Sequence, residues 1–129
     1  MQYGKHLLVE VITKNPKGLD NKNFIKGVFD KIIRAAKMTA VLPTVIYKFP
    51  KKANAPKNTA SGLTAFSIVQ ESHLSIHTWP EDNYFAFDLF SCRDFDEKKV
   101  IRIIKKSFQI KKIHFKVIDR GIKVNFLKL

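Results

Sequence analysis

Glu71, Ser72 and His73 interrupt the apolar heart of this chain, which runs from Gly62 to Ile76. Polar and ionisable groups are costly inside a core-like run, so three together call for a chemical reason. A serine hydroxyl is a weak nucleophile at its own pKa and attacks only beside a base or oriented hydrogen-bond donors. His77, farther along the same segment, is a candidate base, because imidazole titrates near neutrality. The only cysteine, Cys92, can form neither an intrachain disulfide nor a multi-cysteine metal site. It is either a small buried apolar group or a reactive thiol. Each of these residues taken singly also has a plain structural reading: Ser72 as a strand or turn hydroxyl, His77 as a satisfied core histidine, Cys92 as packing, Trp79-Pro80 as a corner.

Two other chemistries use the same residues. Cys92 and His77 could pair as nucleophile and base in a thiol hydrolase, but the sequence carries no local signature for one. His73 and His77 would chelate a metal only from one helical face. The apolar and β-branched residues around them argue for a strand, where this spacing sets the rings too far apart. No metal is therefore expected.

The elements that must hold these groups can be read from periodicity. His6 to Thr13 is β-rich and apolar, and Asn15-Pro16-Lys17-Gly18 stops it. Asp20 or Asn21 can cap a helix in which Phe24, Ile25, Val28, Ile32 and Ala35 or Ala36 recur at helical spacing, running to about Met38. Val41 to Phe49 reads as a strand despite Pro43, and Pro50 to Ser61 as a loop. Tyr84 to Phe90 alternates as a strand. Asp94 and Asp96 precede a helix with Val100, Ile103, Ile104 and Phe108 on one face, and Ile113 to Ile118 forms a last strand. The order predicts an α+β fold: a two-layer sandwich with a mostly antiparallel sheet and two helices on one face. The other sheet face then needs a cover, which points to a homodimer.

The chain's 129 residues suit a single domain. No stretch approaches the roughly 18 apolar residues of a membrane span, and the N-terminal residues do not read as a secretory signal, so a cytoplasmic location without membrane attachment is expected. The net charge of +13 raises the question of a nucleic-acid partner. The lysines are spread from Lys5 to Lys128, arginine is scarce and no glycine-aromatic base-stacking pattern occurs, so the charge reads as solvated helix faces and nucleic acid is not expected.

Glu71-Ser72-His73-Leu74-Ser75-Ile76-His77-Thr78-Trp79-Pro80-Glu81 resembles the signature of the prokaryotic S-adenosylmethionine decarboxylase proenzymes. Gly4-Lys5-His6-Leu7, Gly62-Leu63-Thr64, Asp88-Leu89-Phe90-Ser91-Cys92 and Asp119-Arg120-Gly121 extend the likeness over nearly the whole chain. The resemblance implies autocatalytic serinolysis between Glu71 and Ser72, giving a chain 1–71 and a chain 72–129 headed by a pyruvoyl group made from Ser72. It implies His77 as the base for the elimination step, with Thr64 and His73 in support of processing. It implies a pyruvoyl ketone that forms a Schiff base with S-adenosylmethionine and acts as electron sink, with neither metal nor pyridoxal phosphate. Cys92 would return a proton to the substrate, Phe49 and Trp79 would hold the adenine, and Glu81 the ribose hydroxyls. The product would be the aminopropyl donor for spermidine and polyamine synthesis. Arginine or ornithine as substrate on the same scaffold, and an uncleaved non-catalytic relative, are the alternatives.

Overall fold

The first strand begins where apolar residues fall at every second position. Leu7, Val9 and Val11 of β1 (Gly4–Thr13) are buried on one face, while His6, Leu8, Glu10 and Ile12 alternate to the other. The computed structural model describes residues 3–51, 53–54 and 61–121. Asn21, one of the two expected caps, closes the N-terminus of α1 (Lys22–Ala35) by accepting from the Phe24 N–H at 2.9 Å. The helix stops earlier than Met38 because Lys37 takes a left-handed φ of 57°. The Met38 N–H then reaches back to the Ile33 carbonyl, which closes the last turn.

A separate short strand, Thr39–Ala40 (β2), precedes the span expected over Val41 to Phe49, and the expected strand is shortened to Val45–Lys48 (β3). Both pair with β4 (Leu63–Gln70), and Pro43, with no N–H to give a ladder, lies between them. Of the expected loop, residues 52 and 55–60 lie outside the described residues. The apolar heart is a hairpin: β4 turns back at Glu71 into β5 (Ser72–Trp79), with Thr64 opposite His77 and Val69 opposite Ser72. A 3₁₀ turn, Pro80–Asp82, leads into β6 (Tyr84–Ser91), and α2 (Glu97–Ser107) is capped by Asp96, whose carboxylate accepts from the Lys98 and Lys99 N–H groups. β7 (Ile110–Arg120) ends the described fold.

All pairings are antiparallel and the strands lie in the order β2, β4, β5, β6, β1, β7, with β3 beside β2 on the same edge of β4. Seven strands and two helices among the described residues make the two-layer α+β sandwich expected from sequence. The core lies between sheet and helices: Leu7, Leu74, Ile76, Phe85 and Leu89 meet Ile25, Phe29 and Ile32 of α1 and Val100 and Ile104 of α2. Burial of these side chains, about 1.5–3 kcal/mol apiece, fixes the strand register. The opposite sheet face has no helix over it among the described residues, and it carries Leu8, Ile12, Phe66, Ile68, Trp79 and Ile118 exposed.

Candidate active site

The hairpin reversal sets the scissile pair expected from sequence on a constrained backbone. Ser72 holds φ at 148°, a region poorly populated by residues with a side chain and worth about 1–3 kcal/mol of strain. Its Cα partners are Val69 on β4 and Ser91 on β6, so it is gripped from both sides. The Glu71 carbonyl oxygen accepts from Ser91 Oγ at 3.1 Å and from the Cys92 N–H at 3.4 Å. Cys92 is exposed, and its Sγ donates to Glu71 Oε2 at 3.1 Å. That hydrogen bond, with some burial and the carboxylate's charge, raises the thiol pKa above its ordinary value, although the Ser72 hydroxyl works the other way. Glu71, Ser72 and Cys92 are thus brought together at one end of the sheet.

The segment after Cys92 is tied down by Lys5. Its ammonium donates to Asp94 at 2.9 Å and to the Phe95 carbonyl at 2.7 Å, and lies 2.6 Å from Glu97. Burial works against the charge of Lys5, but the two carboxylates outweigh it and hold its pKa up.

The other expected residues gather toward the far end of the sheet. Thr64 Oγ1 and His77 Nδ1 are 3.0 Å apart, as their cross-strand register dictates. The His77 ring lies 6.4 Å from that of Trp79, which lies 5.4 Å from that of Tyr84. Tyr84 in turn donates to Glu10 at 3.2 Å, and its pKa is raised by burial and by that carboxylate. Phe49 stands exposed against Tyr47, with its N–H on the Gly62 carbonyl, and Glu81 is exposed on the 3₁₀ turn. Thr78 pins this end: its hydroxyl donates to the Leu19 carbonyl at 2.7 Å and accepts from the Leu63 N–H at 3.0 Å. Gly62 admits that contact, since a Cβ there would run into the Thr78 carbonyl.

Ser72 and His77 are therefore not neighbours within one chain. Five residues of β5 separate them, about 16 Å at the usual strand rise. His73 is stacked on Phe66 at 5.3 Å and tilted against Phe90 at 6.0 Å, an aromatic environment on the open face. His6 has a buried Nε2 with no hydrogen bond among the described residues, and burial lowers its pKa. The open face also holds a groove lined by Leu8, Glu10, His77, Tyr84, His114 and Ile118. Ser91 escaped the sequence reading because a serine at a strand end has no periodic signature; its place opposite Ser72 is a matter of pairing.

The family model described as S-adenosylmethionine decarboxylase matches residues 5–121 of this chain. A protein from Clostridium botulinum (strain Langeland) named S-adenosylmethionine decarboxylase proenzyme is 33% identical over 123 residues, which cover 94% of this chain and 97% of that protein. One of the same name from Pyrococcus furiosus is 32% identical over 120 residues, covering 92% and 79% respectively. In fold, the chain is similar to the crystal structure of the adenosylmethionine decarboxylase from Aquifex aeolicus VF5, with a TM-score of 0.78, 24% identity, and coverage of 95% of this chain and 93% of that one.

Proposed function

The chain belongs to the S-adenosylmethionine decarboxylase family, and from that premise we propose that it is a pyruvoyl-dependent S-adenosylmethionine decarboxylase that matures by cutting itself between Glu71 and Ser72. Its product is decarboxylated S-adenosylmethionine, the aminopropyl donor for spermidine and polyamine synthesis in the cytoplasm. The observation that carries this reading is the seating of the Glu71 carbonyl, with donors on its oxygen, strained Ser72 on one side and the Cys92 thiol beside it.

Maturation follows from these atoms. Ser72 Oγ bonds to the Glu71 carbonyl carbon, the Glu71–Ser72 C–N bond breaks, and the hydroxyl proton ends on the freed amine, leaving an ester. A base removes the Ser72 α-proton, Glu71 departs as a carboxylate, and water then releases ammonia. Residues 1–71 and 72–129 become separate chains of one domain. The pyruvoyl group formed at residue 72 supplies the electron sink for loss of carbon dioxide, a role that pyridoxal phosphate plays elsewhere. The chain's own residues suit the remaining tasks. Cys92, an exposed thiol beside the Glu71–Ser72 bond, delivers a proton to the substrate α-carbon. Phe49 and Trp79 offer exposed rings for the adenine, and Glu81 an exposed carboxylate for the ribose hydroxyls.

His77, held by Thr64, is the base, and it must come from a second copy. Stacking two open sheet faces about a two-fold axis that reverses strand direction lays the His77 end of one protomer over the partner subunit's Ser72, and covers the exposed apolar side chains. A symmetric homodimer of cleaved protomers is thus the active form, with His73 in the aromatic cluster under that contact supporting the cleavage turn.

The substrate is tested by offering the purified protein S-adenosylmethionine, arginine and ornithine separately. Carbon dioxide is expected from S-adenosylmethionine alone; release from arginine or ornithine instead would overturn the assignment.

A further inference from the structure

We propose that the Ser91 hydroxyl is an oxyanion donor for self-cleavage, working with the Cys92 backbone N–H to hold the negative charge that develops on the Glu71 carbonyl oxygen. This rests on the self-cleavage reading above and adds a residue to it. Ser91 is wholly buried (0% exposed) at the end of β6, with Cα partners Ser72 on one side and Lys5 on the other. Its Oγ accepts from the Arg93 N–H at 3.0 Å, which leaves its single proton for the Glu71 oxygen at 3.1 Å. The Cys92 N–H approaches the same oxygen at 3.4 Å, and the Cys92 Sγ, whose shorter contact of 3.1 Å is to the Glu71 carboxylate, lies 3.6 Å from it. The Ser91 hydroxyl, the nearest donor, and the Cys92 N–H therefore converge on the one atom that becomes an alkoxide when Ser72 Oγ adds to the carbonyl carbon.

The neighbours hold Ser91 in place. A Cβ at Gly4 would stand 2.5 Å from the Phe90 ring and 2.8 Å from the Ser91 carbonyl oxygen, so β1 lies against this strand end only because residue 4 is glycine. Lys5 anchors the segment that follows Cys92 through Asp94 and the Phe95 carbonyl. In such a site the donors are oriented before the charge appears and need no reorganisation during the step. As the C–N bond breaks and the ester forms, the charge leaves the Glu71 oxygen and both hydrogen bonds return to ground-state strength.

The test is the rate of self-cleavage of freshly made S91A protein, followed by denaturing gel, with thermal unfolding measured on the same sample. Loss of one oxyanion donor is expected to slow cleavage by about a hundredfold or more while the chain stays folded. Hydroxylamine, which cuts esters, assigns the step. H77A stalls after the ester forms and should be cut by hydroxylamine, whereas S91A/H77A should yield far less cut chain. If S91A does not fold, S91C, with a weaker donor of similar shape, is measured in its place and is expected to slow in the same sense. A folded variant that cuts itself at the wild-type rate overturns the role, as does one that accumulates hydroxylamine-sensitive ester, which would place Ser91 in the elimination. Wild-type protein that never cuts itself contradicts the self-cleavage reading and not Ser91 alone.

Discussion

At the scale of single residues, the proposed maturation divides the chemistry between one strained serine and the groups that hold the carbonyl before it. S72A removes the attacking hydroxyl, so the chain should remain whole and inactive; C92A should still be cut yet lose most decarboxylation, which a gel and a carbon dioxide assay separate. Full activity in S72A would refute the proposed maturation. A second expectation concerns the Cys92 thiol, whose pKa lies above its ordinary value chiefly because it donates to the Glu71 carboxylate. Removing that charge lowers the pKa and enlarges the thiolate fraction at a given pH. In the uncut S72A chain, E71Q should therefore make Cys92 react with iodoacetamide several-fold faster at mildly alkaline pH; an unchanged rate would mean that the carboxylate does not control the thiol. Ser72, His77 and Cys92 stand out in the sequence because their reactive types break an apolar context. Ser91 does not, since its place depends on which strands pair.

At the scale of elements, the turn that carries Cys92 is secured by the Lys5 ammonium on β1 and the Asp94 and Glu97 carboxylates. Hydrogen bonding to Lys5 lowers the pKa of both acids, so their contribution to stability is present above the ordinary carboxylate pKa, about 4, and is lost as pH falls through the depressed folded-state values. K5M should therefore lower the thermal midpoint at neutral pH, and the gap from wild type should close as pH is taken below about 4; a gap that stays constant would contradict this. The helices and outer strands were legible because Ile25, Val28 and Ile32, or Val100 and Ile104, keep one period. The β4–β5 hairpin was hidden because Phe66 and Ile68 make the outward face of β4 as apolar as Ala65 and Val69 make the inward one, so alternation vanished. Pro43 was visible, but only the pairing with β4 shows that the strand after it begins at Val45 and that Thr39–Ala40 before it is a strand as well.

At the scale of the whole molecule, the two halves of the proposed site lie at opposite ends of one sheet, so in the proposed dimer each protomer has one half to give and another to receive. The proposed dimer requires complementation: S72A chains supply His77 and H77A chains supply Ser72. Each variant alone should remain uncut, whereas the pair produced together should contain cut H77A chains, read as fragments on a gel. Absence of fragments from the mixture, with each variant folded, would show that the partner does not provide the base. The sequence pointed to a dimer through its sheet, one face of which lacks a helix, and the strand reading around His73 and His77 already set His77 far from Ser72; which residues a partner would bring to Ser72 depends on how two sheets stack, which one chain's periodicity does not carry.

Self-cleavage is tested most directly by the mass of the purified protein under denaturing conditions. The proposed maturation predicts two chains, one ending at Glu71 and the other beginning at residue 72 and lighter by one ammonia than the same fragment with an N-terminal serine. One uncut chain with the full mass of 129 residues would contradict it.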